Sequence, residues 1–289
     1  MEKLPSRAAA NNPAARHRFK LKYAARLGKF TNLAGDDPID QIRFMADQGF
    51  RAFEDSHMQR RPIELQEKIG HELARLEMEM GTFIATANFD KPTFAAGDKE
   101  VRNHLLNEIR AAVDVAKRLN AKWFTVVLGA LDDTLPMDYQ TANVIETLRY
   151  CCDVCEPVGM VMVMEPLNSW VDHPSMFLQT ISQAYLICRA VARPSCKILD
   201  DLYHQQVTEG NLLGNLDRAW KEIAYIQVGD HPGRNEPTTG EINYKSIFKH
   251  LHEKGYQGLI GMEHGNSRPG PEGEQAVIDA YVEVDSFDL

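Results

Sequence analysis

Several predicted strands of this 289-residue chain end on side chains that could do acid–base or metal chemistry. The side chains concerned are Glu165 after "VMVM", Asp200, Asp201 and His204 at and after "KILDD", Gln227 within "AYIQV", and Glu263 after "LIGM". Carboxylate and amide oxygens bind hard divalent cations, and carboxylates also transfer protons in general acid–base catalysis. If these strand ends meet, the chain has the groups needed for metal-assisted proton transfer.

The elements that would bring these side chains together are strands and helices in strict alternation. Short apolar or alternating runs are followed by stretches with helical spacing, eight times between residues 19 and 289. Such alternation predicts parallel strands, and eight units in a chain of this length favour a single-domain (β/α)₈ TIM barrel. The carboxyl ends of all barrel strands lie on one face, so we expect the polar strand ends to share one site. Glu54, after the second predicted strand, could reach that site or be an ordinary strand end.

Composition excludes several classes of partner. The formal net charge is −9 and the pI is near 5.6, which disfavours a nucleic-acid-binding protein. No apolar run reaches the roughly 18 residues of a membrane-spanning helix, so no membrane association is expected. No glycine-rich G-x-G-x-x-G pattern follows the first predicted strand, which disfavours a dinucleotide site. Five cysteines, including Cys152 and Cys155 within a helical pattern, indicate packed, reduced thiols.

The first 18 residues differ from the rest. They are rich in Ala, Asn, Pro and Arg and precede any periodic pattern, so residues 1–18 are predicted to form a flexible tail and residues 19–289 the barrel. The segment lacks the apolar stretch of a signal peptide, which favours a cytoplasmic protein. Ala8, Ala9 and Ala10 resemble a small-residue cleavage site, so a periplasmic location after export processing is the alternative.

Four segments of the chain resemble one branch of a known enzyme family. The segments are "MEPLN" (164–168), "DLYH" (201–204), "YIQVGDHPGRNEPTTGEINY" (225–244) and "GLIGMEHG" (258–265). They are similar to the hydroxypyruvate isomerase branch of the xylose isomerase-like barrels, a family of sugar isomerases and epimerases. The resemblance extends from Phe19 onward in strand–helix order and is strongest in the C-terminal half.

The resemblance implies a metal site at four positions. Glu165, Asp201, Gln227 and Glu263 match the family's ligands, and Asp201 matches rather than Asp200 because the family's aspartate precedes its histidine by three residues. Three carboxylates and one amide oxygen favour Mg²⁺ or Mn²⁺ over Zn²⁺ or Co²⁺. A divalent cation would also explain how three carboxylates are kept close together.

The resemblance also implies an activity. The family isomerises small hydroxy-keto acids or sugars through a metal-stabilised enediolate, with two metal-ligating glutamates that transfer the proton. These match Glu165 and Glu263, and the sequence does not indicate which of them removes the proton. His204 and Arg234 match substrate-binding residues, and Glu241 is a further candidate on the Arg234 loop. The implied partner is a small sugar or hydroxy-keto acid, and a homo-oligomer is compatible with the sequence.

Three alternatives remain open at this stage. A ketose epimerase is disfavoured because Val171 stands where the epimerases have a further glutamate after "EPLN". A lyase, or a barrel within a sugar-cleaving complex, would use the same metal-stabilised enolate chemistry. A non-catalytic sugar-binding barrel is the third alternative, but it would not need two ligating glutamates on flanking strands.

Overall fold

The computed structural model describes residues 15–288. Within that range nine strands form one sheet, and every pairing between neighbouring strands is parallel. The strands are β1 (Tyr23–Arg26), β2 (Ala52–Glu54), β3 (Glu79–Met80), β4 (Ile84–Thr86), β5 (Trp123–Val126), β6 (Val161–Met164), β7 (Cys196–Asp201), β8 (Ile223–Gln227) and β9 (Ile260–Gly261). Their order across the sheet is β3-β2-β1-β9-β8-β7-β6-β5-β4.

The sheet closes because β3 and β4 are two parts of one interrupted strand. β3 pairs with β2, and β4 pairs with β5. Between the two parts, the N–H of Gly81 donates to the carbonyl of Phe53, and the carbonyl of Phe83 accepts from the N–H of Thr125. The sheet therefore has eight strand positions, and the predicted (β/α)₈ barrel is confirmed.

Helices surround the sheet. They are α1 (Thr31–Ala34), α2 (Pro38–Gln48), α3 (Ile63–Arg75), α4 (Lys99–Leu119), α5 (Met137–Cys155), α6 (Ile181–Val191), α7 (Leu202–Thr208), α8 (Leu212–Ala219), α9 (Tyr244–Glu253) and α10 (Gly270–Asp285), with short 3₁₀ helices at Met58–Arg60, Phe94–Ala96 and Glu156–Val158. Asp37 and Asp98 cap α2 and α4 by accepting hydrogen bonds from backbone N–H groups of the first turn. Asp285 at the end of α10 accepts from the Tyr23 hydroxyl of β1 at 2.7 Å, which joins the last helix to the first strand.

The elements differ from the sequence prediction in two places that matter for the site. The alternating run "FKLKYAARLG" predicts a first strand over residues 19–28, whereas β1 comprises only Tyr23–Arg26. A short helix, α7, which the hydrophobic pattern does not indicate, begins directly after β7. Asp201 starts this helix, because its side chain accepts a hydrogen bond from the N–H of Tyr203 at 2.9 Å. The cap places His204 within one turn of Asp201.

A small apolar layer fills the barrel below the site. Its members are Ala24, Ala52, Val163, Leu199, Tyr225 and Leu259, all of them fully buried. Each lies two or four residues before a polar residue at the strand's carboxyl end, and side chains two residues apart share one face of a strand. The polar residues that follow them are Arg26, Glu54, Glu165, Asp201, Gln227 and Glu263. The barrel interior is therefore apolar below the site and polar at the carboxyl ends of the strands.

Only part of the predicted tail lies within the described residues. Residues 1–14 fall outside them, and of residues 15–18 the N–H of Arg16 donates to the carbonyl of Asp47 at 2.8 Å. His17 packs beside Phe19, with 6.2 Å between the ring centroids. The boundary at residue 19 stays a prediction. Across the described residues, no helix has the length and apolar content to span a membrane.

Candidate functional site

Three of the predicted site residues lie side by side at the carboxyl ends of β6 and β7. The Nε2 atom of His204 is 3.7 Å from an oxygen of Glu165 and 3.6 Å from an oxygen of Asp201. All three side chains are buried, and their donor atoms lie within 4.8 Å of one another. The group has the residue types and the spacing to hold a metal ion.

Two arginines, Arg234 and Arg26, contact Glu263, and Arg234 also contacts Asp201 of this group. Arg234 Nη2 is 2.7 Å from an oxygen of Asp201 and 3.3 Å from an oxygen of Glu263. Arg26 at the end of β1 approaches the other oxygen of Glu263 at 3.2 Å and donates to the Ser56 hydroxyl at 3.0 Å. No motif in the sequence indicates Arg26, although it lies close to the carboxyl end of a predicted strand.

The buried carboxylates destabilise one another's charged forms. Burial raises the pKa of Glu165 well above its ordinary value, and the negative charges of Glu263 and Asp201 raise it further. Burial also raises the pKa of Asp201, while the neighbouring Arg234 guanidinium opposes that shift. Added positive charge at this position, such as a bound cation, would favour the ionised forms of these acids.

His204 faces the carboxylates as a neutral hydrogen-bond donor. The Asn168 carbonyl oxygen accepts from the N–H groups of Val171 and Asp172, so its amide nitrogen is left to donate to His204 Nδ1 at 2.7 Å. Burial lowers the pKa of His204 to about 3, so the ring is neutral near pH 7. With Nδ1 accepting, this hydrogen-bond network assigns the proton to Nε2. Nε2 has no hydrogen-bond partner within residues 15–288.

Gln227 lies at the end of β8 and is held by Glu54 from across the barrel. Gln227 Nε2 donates to Glu54 Oε1 at 2.8 Å, and the Tyr225 hydroxyl donates to Glu54 Oε2 at 2.7 Å. Burial raises the pKa of Glu54 to about 7, and the charge of Glu263 contributes. The carbonyl oxygen of Gln227 is buried and, in the described part of the chain, has no hydrogen-bond partner.

The loop after β8 positions Arg234. Asp230 organises the loop by accepting hydrogen bonds from three backbone N–H groups at 2.9–3.1 Å, those of His231, Gly240 and Ile242. Arg234 has a φ of +50°, an uncommon backbone conformation for a residue with a side chain. Its guanidinium lies over the Tyr203 ring, 4.8 Å from the centroid. The loop therefore holds Arg234 against α7 and the site.

Two further residues lie at the edge of this arrangement. Glu241 is exposed and accepts a hydrogen bond from Gln206 at 3.0 Å, and its contact with a substrate stays a prediction. Lys29, which the sequence analysis did not single out, is buried beside His264, whose carbonyl oxygen it contacts. Burial lowers the pKa of Lys29 to about 7, and the positive charge of Arg26 contributes. With Arg26, His264 and Asn266, Lys29 lines a cleft between the ends of β1 and β9.

A divalent cation fits the donors present. Glu165 and Asp201 would supply carboxylate oxygens beside His204, and the unpartnered oxygen of Gln227, which pairs with Asp201 in the sheet, would supply a neutral one. Glu263 is joined to Asp201 through Arg234, and its role as a ligand stays a prediction. Hard cations such as Mg²⁺ and Mn²⁺ prefer oxygen donors. The raised pKa values of Glu165 and Asp201 follow from their burial, and a cation bound beside them would lower both values.

Comparison with known proteins agrees with the fold. A family model described as "Xylose isomerase-like TIM barrel" matches residues 42–282. A putative hydroxypyruvate isomerase of Xenopus laevis is 40% identical over 121 residues, which cover 42% of this chain and 44% of that protein. A 2-oxo-tetronate isomerase of Pectobacterium atrosepticum is 30% identical over 250 residues, 84% of this chain and 91% of that protein.

A solved structure has the same architecture. The crystal structure of a family 2 AP endonuclease from Brucella melitensis superposes with a TM-score of 0.75 at 25% identity and covers 90% of this chain and 99% of that one. The family model covers more than half of the chain, and the resemblance found in the sequence is thereby confirmed. The chain belongs to the xylose isomerase-like TIM barrel family.

Proposed function

We propose that this protein is a divalent-metal-dependent isomerase of a small hydroxy-keto acid. The observation that carries the proposal is the set of oxygen donors on four neighbouring strand ends, Glu165, Asp201, Gln227 and Glu263, flanked by two arginines. The named relatives, a putative hydroxypyruvate isomerase and a 2-oxo-tetronate isomerase, support the same reaction class.

The reaction moves a proton between two neighbouring carbons. A base removes the proton from the carbon that bears the hydroxyl, and an acid returns a proton to the former carbonyl carbon. The hydroxyl proton passes to the former carbonyl oxygen, so that carbonyl and hydroxyl exchange places. Glu165 and Glu263 follow β6 and β9, with β7 and β8 between them, and are the proposed acid and base. Burial makes Glu165 a stronger base than an exposed glutamate, because it raises the pKa of the carboxyl.

The other side chains would bind and orient the substrate. A bound Mg²⁺ or Mn²⁺ would supply Lewis-acid stabilisation of the negative charge that develops on the substrate oxygens. His204 offers its Nε2–H to a substrate oxygen, because Asn168 occupies Nδ1. Asn168 in turn is held by the loop after β6, so the orientation of the imidazole does not depend on the substrate.

The two arginines favour an acidic substrate over a neutral sugar. Arg26 and Arg234 present guanidinium groups on both sides of Glu263, and guanidinium matches the geometry of a carboxylate. A neutral ketose has no negative charge for this pair to bind. Val171, which is exposed and has no ionisable group in its side chain, stands at the position of the additional epimerase glutamate. The structure therefore supports a keto-acid isomerase better than a ketose epimerase.

The test is exchange of substrate protons with solvent. The Mn²⁺-loaded protein is incubated in ²H₂O with hydroxypyruvate, with 2-oxo-tetronate and with D-fructose, and deuterium incorporation and products are followed by NMR. We expect exchange and isomerisation of at least one acid and none of the ketose. Glu165→Gln and Glu263→Gln should each lower the rate by about 10²–10⁴-fold, the usual contribution of a general acid or base.

A variant of Arg26 separates the substrate classes. Arg26→Met should raise KM for the acid, because it removes a cation at the site, while Arg43→Met, on exposed α2, serves as the matched control. Equal exchange of the neutral ketose would contradict the keto-acid assignment. Absence of exchange in every substrate, or products of bond cleavage, would contradict the isomerase and favour the lyase alternative.

A further inference from the structure

We propose that Glu54 is a positioning residue that orients the Gln227 amide so that its oxygen faces the cation. The inference rests on the proposed function, since it assigns a role around the same metal site. Glu54 itself ends β2 and lies on the side of Gln227 away from its free oxygen. The two residues are 173 positions apart in the chain, so their contact is made only in the closed barrel.

Glu54 and Gln227 differ in the hydrogen bonds that their side chains can make. An ionised carboxylate only accepts hydrogen bonds, whereas the amide of glutamine has a donating nitrogen and an accepting oxygen of nearly the same shape. Glu54 is fully buried, and each of its oxygens already has a donor, Gln227 on one and Tyr225 on the other. In the structure Gln227 presents its NH₂ group to Glu54 Oε1, and its carbonyl oxygen is left without a partner among the described residues.

The opposite orientation would place the wrong group at the site. With the amide turned over, the NH₂ group would face the cation and the carbonyl oxygen would face the carboxylate of Glu54, and both contacts would be repulsive. The oxygen of Gln227 is buried and has no hydrogen-bond partner in residues 15–288, so it is free to bind a cation. A neutral oxygen also completes the ligand set without a fourth negative charge.

The surrounding atoms leave Glu54 little freedom to move. Gly261 pairs with Gln227 in the sheet, and a Cβ atom at Gly261 would lie 2.1 Å from Glu54 Oε2 and 2.9 Å from Gln227 Cγ. Only a glycine leaves space for the Glu54 carboxylate at this point of β9. Tyr225 lies two residues before Gln227 on β8, so both donors to Glu54 come from the same face of one strand.

A double-mutant cycle on Mn²⁺ affinity tests the inference without reference to activity. Dissociation constants are measured by calorimetry for the wild type, Glu54→Gln, Gln227→Met and the double variant, with folding checked by circular dichroism. We expect Glu54→Gln to weaken Mn²⁺ binding by about 10–100-fold, as changes in groups that orient a metal ligand do. In the Gln227→Met background the same change should have almost no effect, because the amide that it positions is gone.

An exchange of the two side chains provides a second test. In Glu54→Gln/Gln227→Glu, the amide at position 54 donates to one carboxylate oxygen at position 227 and leaves the other free for Mn²⁺. Binding should therefore return to within about threefold of the wild type, and the number of charges is unchanged. Glu79→Gln is the matched control, because Glu79 lies at the start of β3 and pairs with Lys22 and Lys122.

The outcomes distinguish this inference from the proposed function. If Glu54→Gln weakens Mn²⁺ binding by the same factor in both backgrounds, Glu54 acts only through its charge and the positioning role is wrong. The role is also wrong if Glu54→Gln binds as the wild type does, or if the exchange binds no better than Glu54→Gln alone. If the wild type does not bind Mn²⁺, or binds it equally well after Asp201→Asn, the proposed metal site itself is wrong and the inference with it.

Discussion

Asp200 and Asp201 are adjacent at the end of β7, but their side chains face opposite sides of the strand and have different surroundings. Asp201 faces the barrel interior and joins Glu165, His204 and Arg234. Asp200 faces the opposite side of the strand, is fully buried, and neither of its oxygens has a hydrogen-bond partner among the residues described. Burial raises the pKa of Asp200 well above its ordinary value, and the charge of Asp201 contributes. The buried carboxyl group of Asp200 therefore destabilises the folded protein, and the contacts that Asp201 makes do not offset this cost.

Replacing Asp200 should stabilise the protein in a pH-dependent way. Below the ordinary pKa of about 3.9 both the folded protein and the unfolded chain hold the proton, so Asp200→Asn should change little. As the pH rises, the unfolded chain releases the proton while the folded protein keeps it, and the wild type loses stability. We expect Asp200→Asn to raise the free energy of unfolding by about 1–2 kcal/mol at pH 7.5.

Urea unfolding of the metal-free protein at pH 4.5 and pH 7.5 measures this effect. Asp36→Asn, at an exposed position between α1 and α2, is the control and should change neither value. A destabilised Asp200→Asn variant at pH 7.5 would mean that Asp200 has a partner the structure does not include.

At the scale of elements, the loop from β8 to α9 carries Arg234 and depends on Asp230. Asp230→Ala removes the acceptor for three backbone N–H groups and should lower the free energy of unfolding by about 2–3 kcal/mol. Arg234 would lose its fixed position, so KM for the substrate should rise, while Mn²⁺ affinity should change by no more than a few-fold.

Denaturant unfolding, steady-state kinetics and calorimetry on one preparation separate these effects. Asp132→Ala is the control, because Asp132 also accepts from a backbone N–H, that of Thr134, but in an exposed loop. An unchanged KM would show that Arg234 keeps its position without the Asp230 hydrogen bonds.

The elements also show which structural features were predictable from sequence. The alternation of strands and helices predicted the barrel, and Cys196–Asp201 was predicted with its observed bounds because a continuous apolar run marks a buried parallel strand. The start of α7 was missed because a single side-chain cap at Asp201 creates it. The interruption after Met80 was missed because it depends on Gly81, where a Cβ would lie 2.4 Å from the Tyr225 hydroxyl, 144 residues away.

The candidate site was predictable to a similar extent and for a similar reason. Glu165 and the pair Asp200 and Asp201 were noticed because they end apolar runs, which is a local signal, and the family's pattern then selected Asp201. Arg26 and Glu54 also end strands, but only the closed barrel shows that Arg26 reaches Glu263 and that Glu54 reaches Gln227. Glu241 shares the loop of Arg234 and yet points to solvent, a difference that loop geometry alone decides.

At the scale of the whole molecule, metal binding should be linked to pH. Because burial raises the pKa values of Glu165 and Asp201, protons compete with a cation for these carboxylates at a higher pH than they would at exposed carboxylates. Lys29, with a pKa of about 7, acts in the same direction because its cationic form repels the metal. We expect Mn²⁺ affinity to fall as the pH is lowered from 8 to 5.5, by up to about tenfold per pH unit for each proton released.

Calorimetry at several pH values, in two buffers with different heats of ionisation, measures both the affinity and the number of protons released. Magnesium-free and manganese-free protein, prepared with a chelator, is the starting material. A dissociation constant independent of pH, together with heats independent of buffer, would contradict the linkage.

The reactivity of the five cysteines can be used to measure local opening of the protein. All five are free and buried, and they lie on α5, α6 and β7 on one side of the barrel. A thiol reagent in solution can therefore react only in the brief intervals when that side opens. The slow rate of alkylation would then measure how often that side of the barrel opens. It would also show whether a bound cation at the neighbouring strand ends makes those openings rarer.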